Sequence, residues 1–166
     1  MSTRFSLAPM SPFLRNLTLL LWLLPPTVGV WAIAARELTA AVFFLLLIAL
    51  YGAVWFWFRP SHFVVSHDYL EIVFPGRQRR ISLESLFRVR SLTQETFNRE
   101  FGWAIRIGVG GLWGGFGWLW TSRQGLIEFY ISRLDEFVLI ERLGGKSLLI
   151  TPENPQQFVQ AIQAAL

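Results

Sequence analysis

The sequence predicts a membrane α-helical hairpin of two transmembrane helices followed by a mainly-β domain. Residues 16–35 and 38–58 contain no charged side chain, and only Arg36 and Glu37 separate them. A helix rises about 1.5 Å per residue, so each run is long enough for the roughly 30 Å hydrocarbon layer of a bilayer. After Arg59 the pattern changes to short aromatic and β-branched runs, which are typical of strands. We therefore divide the chain into an N-terminal arm (1–15), the hairpin (16–58) and a β domain (60–166).

Composition supports the membrane class. Hydrophobic residues make up 53% of the chain and charged residues 16%, whereas soluble proteins average about 25% charged residues. The net charge is +4, with +3 carried by residues 1–59, so the β domain is almost neutral. A nearly neutral domain without a basic stripe argues against a nucleic-acid partner. The chain has no cysteine, which excludes disulfides, thiol catalysis and cysteine-ligated metals.

The two apolar runs carry signals for shape and orientation. Pro25 and Pro26 interrupt the first run and predict a kink, because proline removes a helix hydrogen bond. Basic residues concentrate on the side of the hairpin that joins the arm and the β domain, so the positive-inside rule predicts cytoplasmic termini in a plasma or thylakoid membrane. No ionisable residue lies within either run, which argues against a pump or transporter. Small residues that would allow close helix packing are Gly29, Ala32, Ala49, Gly52 and Ala53.

The β domain reads as about seven antiparallel strands and one C-terminal helix. The predicted strands are residues 62–66, 69–74, 79–83, 86–92, 126–132, 137–141 and 147–151. Asn154 is a good helix N-cap, Pro155 suits the first helical position and Gln157 has capping-box-like spacing, so we predict a helix over 154–165. Seven strands closed by an amphipathic helix describe a pleckstrin-homology (PH)-like barrel. The short arm contains too little apolar surface to fold alone.

Several segments of the domain resemble bacterial membrane-anchored PH-like domain proteins. The resemblance rests on residues 108–117 (GVGGLWGGFG), on 129–130, on 138–140, and on 150–155 (ITPENP) with Phe158. Proteins of this kind commonly place a small PH-like barrel after one or two transmembrane helices. The resemblance implies a binding module and no enzyme activity.

A second, local resemblance involves residues 73–81 (VFPGRQRRI). This segment is similar to part of a photosystem I assembly factor family, which also has two spans followed by a β-rich tail. The resemblance implies a partner in a photosynthetic complex, while a shared PH-like β-hairpin is the alternative explanation.

The glycine- and tryptophan-rich stretch 108–120 is the most unusual part of the domain. It is not a phosphate-binding loop, because no Gly-Lys-Ser/Thr follows the glycines. One interpretation is a barrel strand and loop in which glycine permits close backbone approach. The other is an aromatic loop that enters the membrane interface or grips a partner. Its candidate binding residues are Trp113, Phe116, Trp118 and Trp120.

Arg77, Arg79 and Arg80 form a second candidate site after the Pro75-Gly76 turn. Guanidinium groups bind phosphate through paired N–H donors, so these residues suit an anionic lipid headgroup or acidic residues of a partner. The alternative is a solvated turn that keeps a hairpin soluble.

We predict no catalytic residues, no metal ligands and no cofactor. Two histidines without cysteine are too few for a zinc site, and His67 beside Asp68 in a turn is not a catalytic triad. The sequence therefore predicts a non-enzymatic binding or scaffold protein. Its expected partners are integral membrane proteins of a larger complex, as an accessory subunit or assembly factor. Recognition of anionic lipids is the alternative function.

Overall fold

The computed structural model describes residues 2–166. Three α-helices form its N-terminal helical part. These are α1 (Pro12–Trp22), α2 (Leu24–Ala35) and α3 (Leu38–Ala53), and a π-helical turn over Val54–Phe58 extends α3. Pro12–Ala35 and Leu38–Phe58 are each long and apolar enough to cross a membrane. Within the most apolar 18 residues of each span, only 11% and 17% are buried. Since a helix in the core of a soluble protein is mostly buried, this exposure favours the membrane interpretation.

The predicted interruption of the first span is present. The helix breaks at Leu23, two residues before Pro25. Because Pro25 has no N–H, it cannot bond to the carbonyl of Leu21 as a helical residue would. That carbonyl accepts a backbone N–H at the end of α1 and also the Tyr51 hydroxyl of α3, at 2.6 Å. The second helix of the hairpin therefore adds a hydrogen bond at the position where proline interrupts the first.

The β domain consists of two antiparallel-dominated sheets. Sheet 1 has the order β1-β2-β3-β4 and sheet 2 the order β5-β9-β10-β8-β7-β6, with β8 and β10 parallel. The strands are β1 (Thr3–Ser6), β2 (His62–Val65), β3 (Tyr69–Val73), β4 (Gln78–Ser82), β5 (Leu86–Leu92), β6 (Ala104–Gly110), β7 (Gly115–Thr121), β8 (Gly125–Ile131), β9 (Phe137–Arg142) and β10 (Leu148–Ile150). Two further helices are α4 (Gln94–Phe101) and α5 (Pro155–Gln163).

The main core lies between the two sheets and is closed by α5. Phe158 and Ile162 of α5 are fully buried there. Phe158 packs edge-to-face against Phe5 and Phe63 of sheet 1, with ring centroids 5.1 Å and 5.9 Å apart. The C-terminal helix thus covers one side of the sandwich, as expected for a PH-like domain.

The second face of sheet 2 is also buried, because α4 packs on it. Phe97 and Phe101 of α4 stack on each other at 4.6 Å, and Phe97 contacts Phe137 of β9. This helix explains why 137–140 and 148–150 are continuous apolar runs, since strands buried on both faces need apolar side chains at every position.

The prediction of helices followed by a β-rich domain is confirmed, but the count of about seven strands is wrong. All seven predicted strands are present, and the structure adds β1, β6, β7 and the helix α4. The strand β1 comes from the N-terminal arm and pairs with β2 from Thr3↔Val65 to Ser6↔His62. The arm lacks enough apolar surface to fold alone but completes the edge of a sheet that already exists, and Phe5 is buried in the core.

One boundary and one predicted helix cap also differ from the prediction. The first helix begins at Pro12 rather than at residue 16, because Pro12 suits the first turn of a helix and Leu14 is buried. Asn154 precedes α5, but its side chain makes no capping bond. Its ψ of 87° departs from the extended backbone that a capping side chain normally requires.

We predict that Phe5→Ala lowers the free energy of unfolding by about 3 kcal/mol, the usual cost of removing a buried phenyl ring. Thermal unfolding of the full chain in detergent measures the loss. Phe13→Ala is the matched control, because Phe13 is 61% exposed. Equal loss in both variants would contradict the incorporation of the arm into the domain.

A second prediction concerns pH. The backbone N–H groups of Gln94, at the start of α4, and of Glu136 donate to Asp135 Oδ1 at 2.9 Å and 2.8 Å. These bonds lower the pKa of Asp135 below its ordinary value. A lowered carboxyl pKa stabilises the folded state above the unfolded value of roughly 4, and that stability is lost as pH falls through the folded-state pKa.

Asp135→Asn is therefore expected to lower the unfolding temperature at pH 7 and to reduce its fall between pH 5 and pH 2. Unfolding curves across this pH range measure both effects. Asp68→Asn in the exposed β2–β3 turn provides the comparison. An identical pH response of the two variants would argue against a stabilising role for the two hydrogen bonds that Asp135 accepts.

Candidate interaction surface

The turn between β6 and β7 is fastened to the first helix of the hairpin. Thr18 of α1 donates its hydroxyl to the Gly111 carbonyl at 2.6 Å and accepts from the Trp113 N–H at 3.0 Å. Gly111 has a φ of 104°, and a Cβ there would lie 2.8 Å from Leu17 of the same helix. Only glycine allows the turn to approach α1 this closely.

Trp113 at the tip of this turn lies in an aromatic cluster built by both helical spans. Its ring packs edge-to-face on Trp22, Tyr51 and Trp55, with centroids 6.1, 6.2 and 4.9 Å away. Such aromatic pairs stabilise by about 0.5–1.5 kcal/mol each beyond their buried area. Trp113 therefore joins the β domain to the hairpin.

The π-helical turn at the end of the second span makes another attachment. The last carbonyl groups of a helix have no donor inside the helix. The Gly76 N–H donates to the Phe56 carbonyl at 2.9 Å, and Arg77 Nε donates to the Trp57 carbonyl at 3.0 Å. Arg77 also stacks over Phe74 at 4.5 Å. One member of the predicted arginine site thus holds the β3–β4 turn against the hairpin.

The start of the first helix makes a third attachment. The Ala8 N–H donates to the Thr151 carbonyl at 2.9 Å and the Ser11 N–H to the Ser132 carbonyl at 3.1 Å. The buried Ser132 hydroxyl returns a bond to the Ala8 carbonyl at 2.6 Å. Hydrogen bonds therefore join the β domain to the start of the first span and to the end of the second span.

The predicted arginine site is divided in the structure. Arg79 makes a two-bond ion pair with Glu128, at 2.6 Å and 3.2 Å, and Arg80 pairs with Glu71 at 2.8 Å. Neighbouring residues of a strand point to opposite faces, so Arg79 faces sheet 2 while Arg80 faces away from it. The three guanidinium groups do not converge on one ligand position.

The Gly/Trp-rich stretch forms paired strands, as the first of the two interpretations drawn from the sequence expects. It forms most of the β6–β7 hairpin, in which Gly108 and Gly117 lie directly opposite each other. Each has a φ above 130°, and a Cβ on either would lie within 2.6 Å of a carbonyl oxygen of the facing strand. Glycine is required here for strand pairing and not for phosphate binding.

The predicted aromatic residues have different environments. Phe116 is fully buried in the core, and Trp113 contacts the helices. Trp118 and Trp120 instead lie on an exposed apolar face of the paired strands β6 and β7. We call this the β6–β7 face, and its members are Trp103, Ile105, Ile107, Trp118 and Trp120.

The β6–β7 face is built by register. Ile105 pairs with Trp120 and Ile107 with Trp118, and paired residues share one side of a sheet. Trp103 packs on Trp120 at 5.1 Å. All five side chains are 39–62% exposed. A contiguous apolar face of this kind marks an interaction site on proteins generally.

A cleft of about 330 Å³ connects the β6–β7 face to the end of the second span. Trp57 and Phe58 line one side and Ile107 and Trp118 the other. Lys146 lies 5.6 Å from the Trp118 ring centre. The β6–β7 face is therefore continuous with the aromatic end of the helical hairpin, and Lys146 lies at its rim.

The small residues that were predicted to allow close helix packing have different environments. Gly29 packs against Phe44 within the hairpin, where a Cβ would lie 3.1 Å from the ring. Ala49 is exposed, Ala32 and Ala53 are half-buried, and a Cβ on Gly52 would meet no atom within 4 Å. One small residue therefore serves the hairpin itself, while Gly52 lines an open surface.

Comparison with known protein families matches residues 61–166 to the family described as Bacterial PH domain. The chain belongs to the bacterial PH domain family. The match covers more than half of the chain and begins directly after the second span, and it supports a binding or scaffold module. No curated protein and no solved structure matches the chain. The comparisons do not support the local resemblance to a photosystem I assembly factor family.

Sequence reasoning singled out Trp113 and Arg77 as binding residues but missed Thr18, Tyr51 and Gly76, which also join the bacterial PH domain to the hairpin. The proline at position 25 indicated that a carbonyl would lose its helical donor, but it did not identify Tyr51. Gly76 lay in a predicted turn, yet neither it nor Thr18 indicated a partner, because their partners are distant in the chain.

We predict that Thr18→Val loosens the β6–β7 turn. The change leaves the Gly111 carbonyl and the Trp113 N–H without partners, and unpaired buried groups cost about 1–3 kcal/mol each. Hydrogen exchange of residues 110–115 should accelerate at least about fivefold, following the relation of free energy to local opening. Thr27→Val is the control, because Thr27 bonds only to carbonyls of its own helix turn. Unchanged exchange in Thr18→Val would rule out this attachment.

Proposed function

We propose that the chain is a non-enzymatic, membrane-anchored binding protein that serves a larger membrane protein complex as an accessory subunit or assembly factor. The observation that carries the proposal is the exposed β6–β7 face, held beside the hairpin by the Trp113 cluster. Interface centres are enriched in tryptophan, and apolar anchors of this size supply most binding energy.

The proposed anchoring places both helical spans in the bilayer and both termini in the cytoplasm, in a plasma or thylakoid membrane. The support is the exposure of the apolar spans and the position of Arg4, Arg15 and Arg59 at the end that carries the β domain. This orientation brings the bacterial PH domain to the cytoplasmic surface.

The proposed partner is an integral membrane protein with an apolar and acidic cytoplasmic segment. Within residues 2–166, β6 has a neighbouring strand on one side only, so its other edge is available for pairing. Apolar side chains of the partner would meet Ile105 and Ile107. Acidic ones would meet Arg106 on the opposite side of β6 and Lys146 at the rim, neither of which has an ion-pair partner in the described part of the chain.

Recognition of anionic lipid headgroups by Arg77, Arg79 and Arg80 stays a prediction. Two of these guanidinium groups are occupied by Glu128 and Glu71, which weakens the electrostatic attraction they offer. The partner's identity is left to experiment, and a photosynthetic complex remains the specific candidate from the local resemblance alone.

We predict that a photo-crosslinking amino acid at position 105 or 118 captures one and the same integral membrane protein in native membranes. The same probe at position 87 is the control, because Phe87 is 71% exposed but lies on β5 at the opposite edge of sheet 2. Trp120→Ser should reduce capture from position 118 by at least about tenfold, as expected for loss of an aromatic anchor.

Three results would count against the proposed function. These are equal capture at positions 87 and 118, capture of lipid alone, or unchanged capture in Trp120→Ser. Extraction of the membranes with alkaline carbonate tests the anchoring separately, because an inserted hairpin stays in the pellet.

A further inference from the structure

Arg59 is the residue whose environment the proposed function leaves unexplained. It directly follows the π-helical turn, and its Nε is buried without a hydrogen-bond partner. None of the ion pairs within residues 2–166 includes it. Burial lowers the pKa of its guanidinium from the ordinary value. A partly buried cation without an anion is costly, so binding of an anion beside Arg59 would be favourable.

The ring of Trp55 connects Arg59 to a large apolar groove. The Arg59 guanidinium carbon lies 4.4 Å from the Trp55 ring centre. The same Trp55 lines a groove of about 670 Å³ between the two helical spans and the β6–β7 turn. Its other walls are Trp22, Pro25, Pro26, Ile48, Tyr51, Gly52, Phe56 and Trp113.

The groove is shaped to hold a hydrocarbon chain. The only side-chain polar groups on its walls belong to Tyr51 and the tryptophans, and the Tyr51 hydroxyl already donates to Leu21. From Phe56 to Ile48 the second span descends about 12 Å at about 1.5 Å per residue. Gly52 lies between them and leaves open space where any other residue would place a side chain.

We propose that this surface binds one phospholipid molecule, with its phosphate on Arg59 and one acyl chain in the groove beside Gly52. The polarity of the site matches that of the ligand, since the Arg59 guanidinium stacks on the wall residue Trp55 and the other walls are compatible with a hydrocarbon chain. Guanidinium donates paired N–H bonds to phosphate oxygens, and tryptophan lies favourably at the headgroup level. The inference rests on the proposed membrane insertion but not on the proposed protein partner.

The test uses the full chain, purified and delipidated in mild detergent and titrated in native mass spectrometry. The two probes are phosphatidylglycerol and the diacylglycerol with the same acyl chains. We expect one phosphatidylglycerol per chain, bound at least about tenfold more tightly than the diacylglycerol because of the charge-assisted bonds. Free inorganic phosphate should not compete at equal concentration, because it lacks the acyl chain.

Two variants separate the two halves of the site. Arg59→Gln should reduce phosphatidylglycerol binding to the level of the diacylglycerol, while Arg59→Lys, which keeps the charge, should retain a preference for phosphatidylglycerol. Gly52→Leu fills the groove and should weaken both lipids at least about tenfold. Leu50→Phe on the opposite, exposed side of the same helix and Arg36→Gln at the far end of the hairpin should change neither affinity.

Several outcomes would overturn the proposal. Unchanged binding in Gly52→Leu rejects the groove, and equal loss in Leu50→Phe shows only non-specific lipid contact. An unchanged preference for phosphatidylglycerol in Arg59→Gln rejects the phosphate position. Occupation of the groove by a second copy of the chain, seen as a lipid-free dimer, also rejects it. A chain that purifies without detergent would instead refute the membrane insertion on which both proposals depend.

Discussion

The structure depends on supplying hydrogen-bond partners to backbone groups that the helical hairpin leaves unpaired. Proline at position 25 removes the ordinary helical donor of the Leu21 carbonyl, and the end of the second span leaves the carbonyls of Phe56 and Trp57 without donors inside the helix. In an apolar medium each unpaired backbone group costs several kcal/mol. Tyr51 donates to the first carbonyl from within the hairpin, beside a backbone N–H at the end of α1. Gly76 and Arg77 satisfy the other two from the bacterial PH domain, so hairpin and domain stabilise each other.

This coupling determines where the domain can present a surface. The β6–β7 turn is held by Thr18 and by the cluster around Trp113, and the strands leading from it therefore start at the hairpin. Their exposed face continues directly into Trp57 and Phe58. A partner bound to this face would also reach the end of the second span, which suits the proposed recognition of a protein in the same membrane.

The charged residues divide into structural and unsatisfied groups. Arg79 lies over sheet 2 and pairs with Glu128, while Arg90 joins β5 to α4 through Glu100. These pairs hold packed elements in register and leave little charge for a ligand. Arg59 differs because it is partly buried and lacks an anion among the described residues. The distinction depends on neighbours that are far apart in the chain, so a count of arginines in the sequence could not reveal it.

The sequence by itself determined the two apolar spans, the seven predicted strands and the C-terminal helix, because each depends on a local pattern of apolar residues or on proline and glycine. The tertiary structure decided the rest. The arm became a strand only because sheet 1 offered it an edge and the core offered Phe5 a place. The stretch around Gly108 and Trp118 formed a hairpin because paired glycines tolerate close strand contact, and only that register exposes one aromatic face. Binding surfaces arise from which side chains remain uncovered after packing, and packing joins residues that local patterns cannot relate.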